Sequence, residues 1–351
     1  MAEHDFAWLT DELKHTWARH RRRLAALYAG EPVNGFIAID GRMCGSSHGL
    51  WGTNEPDMLS EPREWLADVF ADMAANAGAA ADPVTFRPLV LEVDAFGTHF
   101  IDALFGARVY FHEGEAWSEP LGCEVGELES PDLSHSSVLT AALDLAGMAV
   151  EASPEEIIVA NPVLSAPVNI GINLFGQRLL EALVLDPDGA RRALGIITDV
   201  IQHCMQAFAR VIPTERRGNS VACNRYAPPG YGFIDGCADQ LVSARHYAEF
   251  FAPLDARLLG VYPGGGMIHL CGACAQQIPV WREMPQVKSL QLNDRATEDL
   301  ELYAEGRRDD QILYVSPTET MTPERIVGIT GGRNLILQCT LPDSLRTWGT
   351  P

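Results

Sequence analysis

The apolar positions of the chain fall into two kinds of pattern. Short, mostly apolar runs stand at 36–40, 88–93, 157–160, 267–271, 287–292, 311–315 and 335–339. Their brevity and lack of strict alternation predict strands covered on both faces, as in a parallel sheet. Further strands are expected at 108–111 and near 220–224. Between the runs, apolar residues recur every three or four positions. Leu13, Trp17, Leu24 and Leu27 predict a helix over 10–30 that Gly30 can end. An alanine-rich helix is expected over 61–80 and a short one over 100–106. Asp186 and Pro187 form a helix start, with aspartate as N-cap and proline in the first turn. Ala190, Ala193, Leu194, Ile197, Val200, Ile201 and Met205 then continue it. Ser243 caps a helix carrying Tyr247, Phe250 and Phe251, and Thr322-Pro323 opens the one between the last two strands. Strands alternating with helices indicate an α/β fold. Count and length fit a (β/α)8 TIM barrel, read as a single domain over 1–351 with an N-terminal helical extension over 1–80.

Composition narrows the function. A hydrophobic fraction of 47% supplies a large core, and a formal net charge of −21 argues against nucleic acid or an anionic membrane as partner. No run reaches the roughly 18 apolar residues of a membrane helix. Met1-Ala2-Glu3-His4-Asp5 lacks the basic start and apolar core of a secretion signal, so a cytoplasmic protein is expected. The eight cysteines then face a reducing compartment, where metal or catalytic use is more plausible than disulfides, and most are expected to be plain core residues. There is no G-x-G-x-x-G and no P-loop, and the triple glycine at 264–266 reads as a loop before a strand.

One run carries chemistry. His269 and Cys271 stand at i and i+2, so on a strand both point to the same face and one ion can touch both. Cys339, ending another strand run, is the expected third ligand of a zinc site. Cys274 competes, because it forms C-x-x-C with Cys271, but the chain after Gly272 is expected to open a helix that turns away. The alternative is a core histidine with two buried cysteines. Cys44 and His48 form another pair, with nothing nearby to complete a site. Glu92 and Asp94 follow an early strand and offer carboxylates near the mouth of a barrel, with Asn161 and Ser165 as further polar contacts. Arg19, Arg21, Arg22 and Arg23 read as a solvated helix face rather than an anion site.

Several segments together resemble the uroporphyrinogen decarboxylase superfamily, over most of the chain. They are Arg22-Arg23-Leu24-Ala25-Ala26-Leu27-Tyr28-Ala29-Gly30-Glu31-Pro32, the segment from Ile101-Asp102 to Arg108-Val109, and Phe233-Ile234-Asp235-Gly236-Cys237-Ala238 with Phe250-Phe251-Ala252-Pro253 after it. The resemblance implies a (β/α)8 barrel. Decarboxylases of that superfamily carry an arginine-rich loop, whereas Asp40-Gly41-Arg42-Met43-Cys44-Gly45-Ser46 keeps one arginine. The zinc-dependent methyltransferase branch uses His-x-Cys and a distant Cys, which His269, Cys271 and Cys339 match. It implies methyl transfer between a methylcobalamin-type corrinoid on a partner protein and a small acceptor such as a thiol, or the equivalent demethylation. Asp235 takes the family's acidic strand-end position as the candidate catalytic residue, orienting substrate or a ligand histidine. Thr340-Leu341-Pro342 after Cys339 departs from the family's pattern, and Pro351 leaves little room for a last barrel helix. Either the N-terminal helix or a second subunit is expected to cover that face, or the family's usual end is trimmed; a homodimer is a candidate assembly. A metal-free decarboxylase and a non-catalytic tetrapyrrole- or corrinoid-binding barrel are the alternatives.

Overall fold

The structure is a computed structural model and describes residues 6–40, 57–94, 96–112, 115–219 and 225–347. Its strands are β1 (Ile37–Ile39), β2 (Thr85–Phe86), β3 (Val90–Glu92), β4 (Val109–His112), β5 (Glu115–Ser118) and β6 (Ile158–Ala160). They continue with β7 (Arg217–Gly218), β8 (Gly232–Asp235), β9 (Gly266–Leu270), β10 (Val287–Leu292), β11 (Ile312–Val315) and β12 (Leu335–Gln338). Seven of them form one parallel sheet in the order β2-β1-β12-β11-β10-β9-β8, and three form a second in the order β3-β6-β7. The mixed α/β character expected from the runs is therefore present. The strand expected at 108–111 instead makes an antiparallel hairpin with β5, outside both sheets.

Two connections relate the sheets. The first and last strands are neighbours, with Ile37 opposite Ile336 and Ile39 opposite Gln338. β2 pairs with β1 and β3 pairs with β6, so one extended run over 85–92 touches both sheets. On the far side a parallel bridge joins Ser165, beyond β6, to Asp235 in β8, and the Ala166 N–H donates to the Asp235 carbonyl at 2.9 Å.

Helices cover the strands, as their faces require. The helix Pro187–Val211 starts where Asp186 accepts the Gly189 N–H at 3.1 Å, and its inward residues are fully buried. Thr10 caps Asp11–Tyr28, and Thr322 caps Pro323–Thr330 in the same way. The basic cluster on the first helix works locally. Arg19 donates to the Pro83 carbonyl, Arg21 to that of Glu215 and Arg23 to that of Phe36, which ties the helix over neighbouring loops. β1 lies between this helix and Pro62–Ala80, so the N-terminal region contributes a strand as well as helices.

The helix capped by Ser243 is interrupted. Ala244–His246 leads into a π turn at Tyr247–Phe251 before Ala252–Leu259 resumes as α-helix. Pro253 lacks a backbone N–H, and the widened turn accommodates that missing donor. Among the described residues no single helix is long and apolar enough to cross a membrane. A bent pair, Pro167–Phe175 with Gln177–Leu185, passes on length and composition together but turns by 107°. Both of its helices bury apolar side chains in the core. The strand expected near 220–224 and the Cys44/His48 pair lie outside the described residues.

The triple glycine has a steric reason. Gly265 takes φ of 72°, and a Cβ there would stand 2.2 Å from the Gln286 carbonyl oxygen. A Cβ on Gly266 would stand 2.5 Å from the Gly232 carbonyl oxygen. The missing side chains let β9 enter between β8 and β10. Gly265→Ala is expected to lower stability by at least about 2 kcal/mol, from left-handed strain plus the backbone clash. Urea unfolding monitored by circular dichroism measures this as a lower midpoint with an unchanged slope.

Candidate metal centre

Most strands of the seven-stranded sheet have apolar bodies, and many buried polar side chains stand at or just beyond the strands' C-terminal ends. Glu92 and Asp94 stand at the end of β3, Asn161 and Ser165 beyond β6, and Asp235 at the end of β8. His269 belongs to β9, Gln291 to β10, and Ser316 follows β11. Burying this many polar groups is costly unless they find partners or ligands.

On this rim, Cys237, His269 and Cys271 place one ligand atom each within 4.8 Å of one another. The register explains the convergence. Asp235 and His269 are Cα partners in the β8–β9 ladder, and the Gly236 N–H donates to the His269 carbonyl at 2.9 Å. The pairing thus continues past the strand ends, and two residues further on Cys237 lies beside Cys271. The i, i+2 logic that puts His269 and Cys271 on one face applies equally to Asp235 and Cys237.

His269 is 5% exposed, and its Nδ1 contacts Gln291 Oε1. An amide oxygen only accepts, so Nδ1 carries the proton and Nε2 keeps its lone pair for a metal. Gln291 is held in turn. Its Nε2 donates to Ser316 Oγ at 3.2 Å and to Gln338 Oε1 at 3.3 Å, and Ser316 Oγ donates to Gln338 Oε1 at 2.6 Å. A polar chain therefore runs across β9, β10, β11 and β12, fixing the imidazole tautomer and plane.

The sulfurs of Cys237 and Cys271 are in direct contact at 2.6 Å. That contact, with His269 beside it, pushes the Cys271 thiol below its ordinary range although burial opposes the shift. The same contact pushes the Cys237 thiol up, and burial and the Asp235 carboxylate add to the effect. Cys271 is thus the first of the pair to lose its proton. Asp235 Oδ1 accepts the Cys237 N–H at 3.2 Å, so the carboxylate engages the cysteine rather than the histidine. The loop beyond is pinned from two sides. Asn169 accepts the Ala238 N–H at 2.8 Å, and Gln277 Nε2 donates to the carbonyls of Asp239 and Val242.

Cys339 lies outside this group. It follows β12, and Gln338 is the residue that points to the polar chain. Cys339 follows at a bend beyond the strand, and its sulfur is not among the converging ligand atoms. Burial, with the Asp40 and Glu324 carboxylates, pushes its thiol up to about 12. Cys274 is fully buried at the start of a short helical turn, and burial pushes its thiol up as well. Nothing in the local spacing of 335–339 distinguishes Gln338 from Cys339. Cys237 does not stand out in the sequence, because the Asp-Gly-Cys string reads as an acidic strand-end motif. The sequence signal for it is a cysteine two residues after an inward aspartate, on the strand preceding His-x-Cys.

The donor set fits a soft divalent ion. Two thiolates and a neutral imidazole balance a 2+ charge and suit zinc-like preferences. A tetrahedral ion with metal–sulfur bonds of about 2.3 Å needs sulfurs about 3.8 Å apart. The 2.6 Å pair must therefore open by rotation of one cysteine side chain.

Two outcomes follow from this geometry. Gln291→Leu removes the acceptor that orients His269 and is expected to weaken zinc affinity about 10- to 100-fold, measured by competition with a chromophoric chelator. The second concerns Asp94, whose carboxyl is pushed up to about 7 by burial and by Glu92, against a hydrogen bond from the Val163 N–H. A carboxyl that binds its proton more tightly when folded stabilises below its ordinary value of 3.8, and that stability is lost as pH rises through about 7. Asp94→Asn is expected to reduce this loss, so its thermal midpoint should fall less than wild type between about pH 4 and pH 8.

No protein-family model matches the chain, and no curated protein matches it by sequence. Among solved structures, its fold is similar to that of a methyltransferase from Methanosarcina mazei, with a TM-score of 0.63 at 14% sequence identity. The similarity covers 94% of this chain and 96% of that one.

Proposed function

We propose that the chain is a zinc-dependent methyltransferase that moves a methyl group between a methylcobalamin-type corrinoid, held on a partner protein, and a small thiol acceptor. The observation that carries this reading is the convergence of Cys237, His269 and Cys271 at two adjacent strand ends. The similarity of fold to a methyltransferase supports it. In the same reading the two parallel sheets are arcs of a (β/α)8 barrel, joined by the 85–92 run and by the Ser165–Asp235 bridge, and the chain is a cytoplasmic relative of the uroporphyrinogen decarboxylase superfamily. The site then sits at the C-terminal face, where barrels of this kind carry their chemistry.

Each residue has a task. Cys237 and Cys271 supply thiolates, and His269 supplies Nε2. Gln291 keeps the imidazole in the required tautomer. Asp235 anchors the Cys237 backbone, which makes it a positioning residue. Zinc bound by these ligands supplies an open coordination position at which an incoming thiol loses its proton. A corrinoid on the partner would supply the methyl group, and the acceptor sulfur held at this site would receive it. The partly exposed positions of Cys237 and Cys271 leave the sulfurs reachable. A decarboxylase acting on a polycarboxylate needs cations around its substrate. The described rim offers Glu92, Asp94 and Asp235, and Arg87 after β2 is already paired with Asp40 and Asp82, so that reading has less support.

Elemental analysis of protein purified without added metal is expected to find about one zinc per chain. Cys237→Ala, Cys271→Ala and His269→Ala should each lose most of it, and Cys339→Ala should keep it. Loss in Cys339→Ala with retention in Cys237→Ala would contradict the ligand set. Methyl transfer is tested by incubating the zinc protein with methylcobalamin and a thiol panel that includes coenzyme M. Conversion of the methylcobalamin spectrum, dependent on both thiol and zinc, is the expected result. No spectral change with any thiol would remove the acceptor class from the reading.

A further inference from the structure

The cysteine pair has the geometry for a second chemistry. Neighbouring strands run about 4.7–4.9 Å apart, inside the Cα separation of about 4.4–6.8 Å that a disulfide spans. Cys237 and Cys271 lie beside each other where the β8–β9 pairing continues past the Asp235–His269 partners. Their sulfurs are 2.6 Å apart. A disulfide needs about 2.05 Å, and two thiolates on a tetrahedral zinc need about 3.8 Å. The observed separation lies between the two, and side-chain rotation reaches either. The states exclude each other, because a disulfide sulfur has no thiolate to give to a metal. Both residues are partly exposed, whereas Cys204 and Cys274 are buried.

We infer that Cys237 and Cys271 are a redox modification site, forming a reversible disulfide with each other when the site holds no metal and a small-molecule disulfide such as oxidised glutathione is present. Oxidation then decides whether the site can be loaded. The cross-link rests on geometry alone, and only this consequence rests on the metal reading above. In the first step one cysteine sulfur attacks the small disulfide, its proton passes to solvent, and one small thiol leaves. In the second step the other cysteine sulfur attacks the mixed disulfide, loses its proton and releases the second small thiol. Two protein thiols are oxidised and one small disulfide is reduced to two thiols.

The test uses the full chain, stripped with a chelator and incubated anaerobically with oxidised glutathione. Free thiols are alkylated and the digest is mapped by mass spectrometry. The expected result is a dominant Cys237–Cys271 linked peptide, a fall from eight titratable thiols to six, and full recovery with dithiothreitol. Zinc added before the oxidant is expected to slow the cross-link at least tenfold. Cys237→Ser should instead leave glutathione attached at Cys271. Three results would each overturn the cross-link: a stable mixed disulfide on the wild-type pair, a dominant Cys271–Cys274 link, or an unreacted pair. A cross-link that zinc does not slow overturns the gating. Zinc content, measured separately without oxidant, shows whether a failure belongs to the disulfide or to the metal reading.

Discussion

The register between β8 and β9 is the constraint on which the site depends. Asp235 opposite His269 sets which side chains share a face, and the continuation past the strand ends brings Cys237 to Cys271. Side chains alternate along a strand, so a slip of one residue turns Cys237 away and leaves the core-facing residues on the wrong side. The slip is opposed from several directions. Gly265 and Gly266 let β9 approach its neighbours as closely as the register demands. Gly236 is also crowded, though by side chains rather than backbone, since a Cβ there would meet the Asp239 carboxyl at 2.7 Å. The loop that carries Cys237 is further held by Asn169 and Gln277.

Polar burial is the second condition. Apolar strand bodies supply the stability, and the C-terminal rim spends some of it on holding polar groups out of water. The cost is limited where each group satisfies the next, as in the chain from His269 through Gln291 to Ser316 and Gln338. A second chain lies behind the site. Trp281 donates to the Tyr247 hydroxyl at 2.8 Å, and that hydroxyl donates to Asp255 at 2.7 Å. It ties Ile278–Glu283 to the helical segment that packs beside β8. The ligand-bearing ends are thus fixed from inside and outside the sheet.

Much of this was legible in the sequence because it is local. Run length separates strands from helices, and Asp186, Ser243 and Thr322 announce helix starts by side chains that accept nearby N–H groups. His269 and Cys271 were found because their spacing and face are properties of one strand. The third member was not legible, because Cys237 meets them only through inter-strand register. Cys339 illustrates the reverse difficulty. Its run shows where a strand lies but not which face turns toward the polar chain, and Gln338 rather than Cys339 is the residue that reaches it. Parity at a strand end depends on the partner strand, and a single run carries no record of its partner.

The central claim is a ligand set of two sulfurs and one nitrogen drawn from adjacent strands. X-ray absorption at the zinc edge of the loaded Cys339→Ala protein, without added thiol, tests it most directly. The account predicts two sulfur neighbours at about 2.3 Å and one imidazole nitrogen at about 2.0–2.1 Å. A shell with one sulfur, or one lacking imidazole scattering, would contradict it.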